Sequence, residues 1–147
     1  HNGPVKNLKY FNKILKKNLF KGKIKFNDSP SLEAQVASIS DDIAYNNHDL
    51  EDGLRANLFT IKKLNDITSL RGIIKRHFKK LKLHRREIII NQIVRDLINL
   101  MVNDVINNTK KNLKKYKPRS IDDVYAAKYP IISGTVILNT PPGTRHL

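Results

Sequence analysis

The sequence contains no cysteine and no tryptophan, and its 13 acidic residues are outnumbered by 28 lysines and arginines. Without cysteine there can be no disulfide framework, no thiolate zinc site and no cysteine nucleophile. Apolar runs are broken by Arg, Asn or Asp well before the roughly 18 residues that a membrane span needs. The first 25 residues also lack the uninterrupted apolar stretch of a secretion signal. These absences predict a cytoplasmic protein that does not enter a membrane.

The 147 residues are 39% hydrophobic, which is enough for the core of a single domain. The net charge is +15, with Lys outnumbering Arg by 20 to 8. Two interpretations of this charge stay open, a phosphate-binding surface or the compositional drift of an AT-rich coding sequence, which also enriches Asn and Ile. The chain begins at His1 instead of Met, and we interpret it as a piece of a longer polypeptide.

Apolar residues recur at helical spacing along most of the chain, which predicts an all-α fold. A lysine-coated amphipathic helix is predicted over residues 5–21, and Ser29-Pro30 is a helix-start signal. The further predictions are a long helix near 30–58, one or two short helices over 60–83, a mostly buried helix over 85–109, a basic polar run over 110–117 and a short turn capped by Ser120. Residues 129–147 lack periodicity and contain paired prolines, which predicts a loose, exposed tail.

The predicted central helix has two distinct sides. One is an apolar stripe formed by Leu32, Val36, Ile39, Ile43, Leu50 and Leu54. The other begins with small residues and continues with Asp41, Tyr45 and Asp49, which lie at i, i+4 and i+8 over about 12 Å. This pattern predicts a helix packed on both sides, with carboxylates directed at something buried. Such a row can hold a metal, stack on a sugar and accept a hydroxyl hydrogen bond, or it is a solvated acidic stripe.

The run SLEAQVASISDDIAYNNHDLEDGLR, residues 31–55, resembles the deoxyguanosine triphosphate triphosphohydrolase-like proteins of the HD-domain superfamily. The opening HNGP and the stretch from 95 to 109 are similar to the same family, so the resemblance covers roughly residues 1–133. It implies the carboxyl-side part of an HD domain over 1–133, that is, a partial HD-domain helical fold. Residues 134–147 do not resemble the family, and we expect them to form a divergent, disordered tail.

The resemblance also implies an activity, the hydrolysis of a deoxynucleoside triphosphate (dNTP) to a deoxynucleoside and triphosphate with a divalent metal, Mg or Mn. By motif position Asp41 is the implied metal ligand. Tyr45 is implied to lie against the deoxyribose, and Asp49 to reach its 3′-hydroxyl. The family's other metal ligands, a His and an adjacent His-Asp pair, have no counterpart before Asp41.

We therefore predict that this chain alone is inactive, that it contains no catalytic residue and that it binds metal only if the missing ligands are supplied. Alternative interpretations are a basic helical module that binds nucleic acid, or a fragment that complements a separately encoded upstream partner. Relatives assemble as oligomers, so a homo-oligomer is a further expectation.

Overall fold

A computed structural model of the protein describes residues 28–82 and 84–136. This part contains four α-helices: α1 (Leu32–Arg55), α2 (Arg71–Phe78), α3 (Arg86–Tyr116) and α4 (Ile121–Tyr125). Two single-turn 3₁₀ helices, Lys63–Asp66 and Lys79–Lys82, flank α2. The described residues contain no strand, which confirms the all-α prediction. The helix predicted over residues 5–21 and residues 137–147 of the predicted tail lie outside the described residues.

Helix α1 begins two residues later than the Ser29-Pro30 signal predicts. Ser31 is the N-cap, and its hydroxyl accepts a hydrogen bond from the Ala34 N–H at 3.3 Å. Ser29 cannot serve as the cap because it is bound elsewhere: its N–H donates to the Tyr125 carbonyl, and its hydroxyl donates to the Ala127 carbonyl at 2.7 Å. The start of α1 is thereby fastened to the end of α4.

Helix α1 ends at Arg55, a few residues before the predicted end. Asn57 has φ 58°, a left-handed conformation that stops a helix. The Ala56 N–H still bonds back to the Asp52 carbonyl, and the Leu58 N–H reaches the Gly53 carbonyl at 3.0 Å. The Arg86 guanidinium satisfies a further carbonyl, that of Leu54, at 2.6 Å.

Helix α3 is longer than predicted, because the basic run 110–117 continues the helix through Tyr116. Lysine has a good helix propensity, so a polar lysine run does not end a helix on its own. The helix stops where Lys117 adopts φ 44° directly before Pro118. After it, Ser120 caps α4 as predicted and forms a reciprocal capping box with Asp123.

Helices α1 and α3 pack antiparallel and enclose most of the core. The Arg55 guanidinium bonds Asn91 near one end of the pair, and Asn47 contacts the sulfur of Met101 at 3.3 Å further along. Helix α2 joins α3 through a 2.8 Å hydrogen bond between the His77 ring and the Asp96 carboxylate. Among the described residues, the largest fully buried side chains are those of Leu54, Ile74, Ile89, Ile90, Ile93, Ile131 and Asn47.

The prediction of a loose tail from residue 129 is wrong for the part that the structure describes, although that part is irregular as expected. Ile131 is fully buried, and Asn112 of α3 donates to its carbonyl at 2.9 Å. The Asp104 carboxylate accepts hydrogen bonds from the backbone N–H groups of Thr135 and Val136. Long-range polar contacts therefore hold residues 131–136 against α1 and α3.

Candidate functional site

The predicted site residues Asp41, Tyr45 and Asp49 share one face of α1, on the side turned away from the core. All three are exposed, and 45% of the Tyr45 side chain is accessible. The prediction that α1 is packed on both sides is therefore wrong for the part of the chain that the structure describes. The row itself exists as predicted, because an unbroken helix repeats its face every three to four residues.

Helix α1 as a whole is strongly acidic. The helix carries six carboxylates against one arginine, although the whole chain has a net charge of +15. Arg55 is paired with Glu51 at 2.7 Å. No lysine or arginine within 28–82 and 84–136 forms an ion pair with Asp41, Asp42, Asp49 or Asp52. The row is thus a concentration of negative charge open to a cationic or hydrogen-bonding ligand.

Beside this row runs an open groove between α1 and α3, with a volume of about 370 Å³. We call it the α1/α3 groove. Val94, Ile98 and Val102 of α3 form one wall. The α1 side is formed by Ser40, Ile43, Ala44, Asn47, His48 and Glu51. A helix turns about 100° per residue, so Asp41 and Tyr45 lie about 100° around α1 from the groove residues Ser40 and Ala44 that precede them. The two side chains are therefore just outside the groove.

The floor of the groove contains a buried amide. Asn47 is 2% exposed, and its Nδ2 donates to the Ile43 carbonyl at 2.7 Å. Its Oδ1 is buried and accepts no hydrogen bond from the described residues. A buried amide oxygen without a donor is unfavourable by about 1–3 kcal/mol.

The described residues do not form a metal site by themselves. Within 28–82 and 84–136, no group of three or more His, Asp, Glu or Cys side chains converges to hold an ion. Asp41 offers one hard oxygen ligand, and the metals that prefer oxygen bind through several donors. The predicted role of Asp41 as a ligand therefore requires donors from elsewhere.

The groove was missed by sequence reasoning, and so were the residues that form its α3 wall. The sequence predicts a mostly buried helix over 85–109, but Ile98, Val102 and Ile106 are each 39–44% exposed. Their i, i+4, i+8 spacing was the available signal, because it forms a second apolar row distinct from the buried one. Periodicity shows that a helix has apolar faces, but not that a partner covers each of them.

No family model matches the chain. It is 48% identical over 132 residues to the deoxyguanosinetriphosphate triphosphohydrolase-like protein of Pelagibacter ubique, an alignment that covers 90% of this chain. The chain is homologous to the deoxyguanosinetriphosphate triphosphohydrolase-like proteins. The resemblance noted in residues 31–55 is thereby confirmed.

Two further triphosphohydrolase-like proteins give the same result. That of Parvibaculum lavamentivorans is 39% identical over 103 residues, and that of Ralstonia pickettii is 38% identical over 109 residues. These alignments cover 70% and 67% of this chain. The chain spans only 36% of the Pelagibacter relative and about a quarter of the other two. It is therefore homologous to a fragment of these triphosphohydrolase-like proteins.

Among the described residues, no helix is both long enough and apolar enough to cross a membrane.

Proposed function

We propose that this chain is the carboxyl-side part of an HD-type dNTP triphosphohydrolase, and that the exposed row on α1 is one wall of its nucleotide site. The observation that carries the proposal is the 48% identity to a triphosphohydrolase-like protein over nearly the whole chain. The geometry is compatible with it. Two carboxylates that form no ion pair with a described residue stand in one line with a phenol ring, and all three are exposed on the same side of α1.

The proposed roles follow from the chemistry of the three side chains. Asp49 is a hydrogen-bond acceptor suited to the 3′-hydroxyl of a deoxyribose. Tyr45, one turn away, presents a flat ring suited to pack on the sugar. A ring packed closely there disfavours a ribose, because a 2′-hydroxyl buried without a partner is unfavourable by about 1–3 kcal/mol. The row thus supports a preference for deoxynucleotides.

Asp41 is proposed as one ligand of a divalent ion, Mg or Mn, which would supply electrostatic activation of the phosphate. A lone carboxylate does not make such a site, and the described residues offer no set of ligands around it. We therefore propose that this chain alone does not hydrolyse dNTPs, and that a His and a His-Asp pair from another segment complete the site. An upstream fragment that supplies them is the partner this proposal requires.

The test is a chimera in which this chain replaces the matched 132 residues of the Pelagibacter relative. The assay measures triphosphate released from deoxyguanosine triphosphate with manganese, and the unmodified relative is the positive control. We expect the chimera to release triphosphate and Asp41→Ala to reduce the rate at least about 100-fold, as loss of an ion ligand removes a large electrostatic contribution. Asp42→Ala is the matched control, because it removes the neighbouring carboxylate, which lies about 100° further around α1 than Asp41.

The isolated chain is assayed in parallel, and we expect no triphosphate release. If the isolated chain released triphosphate and Asp41→Ala abolished that release, the proposal that another segment must complete the site would be contradicted. Equal rates in the two chimeric variants would contradict the role of Asp41.

Nucleic-acid binding is the second candidate, and one observation favours it. Lys110, Lys111, Lys114 and Lys115 are all exposed on the last turns of α3. The affinity of these lysines for a duplex or a single strand would fall steeply as salt rises, because binding releases counterions from the nucleic acid and added salt opposes that release. We expect Lys111→Gln/Lys115→Gln to flatten that salt dependence if the α3 end is the site, as measured with a fluorescent oligonucleotide. An unchanged slope would exclude it.

A further inference from the structure

An exposed apolar strip runs along one side of α3. Five aliphatic side chains of this helix are 39–44% exposed, those of Ile88, Ile98, Val102, Ile106 and Leu113. Because a helix turns about 100° and rises about 1.5 Å per residue, all five lie within a sector of about 80° that extends over about 37 Å. We call this row the α3 strip. A contiguous apolar surface of this kind marks an interaction site.

One charged side chain interrupts the strip. Arg95 lies in the same sector of α3, is exposed, and forms no ion pair with any residue of 28–82 or 84–136. A protein surface that covers the strip would enclose the guanidinium, and a buried charge without a partner is strongly unfavourable. The complementary surface is therefore aliphatic along its length and presents a carboxylate opposite Arg95.

A second copy of this chain is a poor complement. In a symmetric pair of antiparallel α3 helices centred on Val102, each Arg95 would lie beside the exposed Lys110 of the other copy, and the two charges would repel each other. The strip exposes on the order of 300 Å², whereas a specific interface between separate molecules buries about 800 Å² on each. The strip is therefore suited to be one part of a larger surface inside a single domain.

The strip also adjoins the row on α1 that needs further donors. Two of its members, Ile98 and Val102, form one wall of the α1/α3 groove, and the other wall directly precedes Asp41 around α1. A segment seated on the strip and over the groove would end beside Asp41. It would leave Tyr45 and Asp49 open, because they lie on the side of α1 that is turned away from the core. The chain spans only 36% of the Pelagibacter relative, so most of that protein is available to supply such a segment.

We propose that the α3 strip is the seat of an amphipathic helix from the upstream part of the triphosphohydrolase. Aliphatic side chains of that helix pack on the strip, and one carboxylate pairs with Arg95. The inference rests on the proposed function, because the upstream part is the one that supplies the missing metal ligands. It names the surface of this chain that holds the upstream part beside Asp41.

The absence of cysteine from the chain allows burial of the strip to be measured. Val102→Cys places a thiol in the middle of the strip, and Asn107→Cys places one at an exposed position about 140° away around the same helix. Each substitution is made in the isolated chain and in the chimera with the Pelagibacter relative. Alkylation of each thiol by iodoacetamide is followed through the mass of its peptide.

We expect the two thiols to react within about threefold of each other in the isolated chain, because both are exposed there. In the chimera we expect the thiol at position 102 to react at least about tenfold more slowly than the thiol at position 107, because the upstream helix covers it.

A pair of charge variants tests the carboxylate. Arg95→Glu in the Val102→Cys chimera places two like charges across the covered strip, and Lys110→Glu makes the same change just outside the sector. We expect Arg95→Glu to speed alkylation at position 102 at least about threefold, because its charge is enclosed, and Lys110→Glu to leave the rate unchanged. Equal rates in the two variants would contradict the proposed carboxylate.

Slow alkylation at position 102 in the isolated chain would mean that this chain or a second copy covers the strip, and would overturn the proposal. Fast alkylation both in the chimera and at the aligned position of the unmodified relative, which carries no graft, would overturn it as well.

The readout separates this inference from the proposed function, because it measures burial and not turnover. An open strip in a chimera that releases triphosphate would overturn the inference alone. A protected strip in a chimera without triphosphate release would support the inference and contradict the proposed activity.

Discussion

The contact between Asp104 and the irregular segment after α4 offers the clearest perturbation of the fold. The Asp104 carboxylate accepts hydrogen bonds from the Val136 N–H at 3.0 Å and the Thr135 hydroxyl at 2.7 Å, and also from the Thr135 N–H. Asn108 holds the same carboxylate from one turn along α3 at 2.8 Å. Asp104→Ala removes every one of these acceptor contacts at once.

The magnitude follows from the number and exposure of these bonds. Hydrogen bonds to a charged group contribute about 1.5–3 kcal/mol each when buried, and the partial exposure of Asp104 reduces this. We expect the loss to be about 2 kcal/mol for the set. The change should be local, since Asn112 still donates to the Ile131 carbonyl and Gln35 still accepts from the Ile132 N–H.

The same contacts determine a pH dependence. Burial acts to raise the pKa of Asp104, but the hydrogen bonds from Val136, Thr135 and Asn108 outweigh it, so the pKa lies below its ordinary value. A carboxyl group with a lowered pKa in the folded state stabilises the fold above its unfolded pKa, near 3.9. That contribution is lost as the pH falls through the lower folded value.

Hydrogen exchange of the Thr135 and Val136 amides measures both effects. We expect Asp104→Ala to increase their exchange roughly 30-fold after correction for intrinsic rates, the equivalent of about 2 kcal/mol. In the wild type, protection should fall below about pH 4, and the variant should lack that fall. Asp66→Ala, which removes an exposed carboxylate from a 3₁₀ helix, is the control. Equal exchange in the wild type and both variants would mean that Asp104 does not hold residues 135–136 in place.

Five further substitutions test the packing and the caps. Gly53→Ala should destabilise the fold by about 1–3 kcal/mol in urea unfolding, because a Cβ there meets the Phe59 ring. Gly72→Ala should stabilise α2 by up to about 1 kcal/mol, since a Cβ at position 72 meets no other atom. If Gly72→Ala destabilised the fold more than Gly53→Ala, the packing around Gly53 would be contradicted. Ser120→Ala should lower the free energy of unfolding by about 1 kcal/mol, because it removes the cap of α4. Ser29→Ala should leave the hydrogen exchange of the first α1 amides unchanged, because the Ser29 hydroxyl bonds the Ala127 carbonyl and does not cap α1. Faster exchange of those amides would mean that Ser29 is the α1 cap. Ile90→Ala should lower the unfolding free energy by about 2–5 kcal/mol, and an effect below 1 would mean that α3 is not packed there.

The helices could be predicted because their signals are local. Apolar spacing identifies α1 and α3, and the serine before two aspartates identifies the start of α4. The same reasoning placed the α1 cap at Ser29, since a serine before a proline has the required chemistry. Its real partners, the Tyr125 and Ala127 carbonyls, are nearly a hundred residues away, and no local pattern encodes them.

The site could be predicted only in part, because the burial of its side chains depends on long-range partners that no local pattern encodes. The spacing of Asp41, Tyr45 and Asp49 fixed their common face, but their burial depends on what packs against α1. Similarly, residues 131–136 have no periodicity, yet Gln35, Asp104 and Asn112 hold them in place through contacts across the fold. Sequence patterns describe faces, and long-range partners decide which faces are covered.

The proposal that the α1 row binds a deoxynucleotide is tested most directly through the contact between Asp49 and the 3′-hydroxyl. The measurement compares the Asp49→Ala chimera with the unsubstituted chimera on two substrates. Deoxyguanosine triphosphate carries the 3′-hydroxyl that Asp49 is proposed to bind, and dideoxyguanosine triphosphate lacks it. We expect Asp49→Ala to lower kcat/KM about 10- to 100-fold on the first substrate and to leave kcat/KM on the second nearly unchanged. An equal loss on both substrates would contradict it.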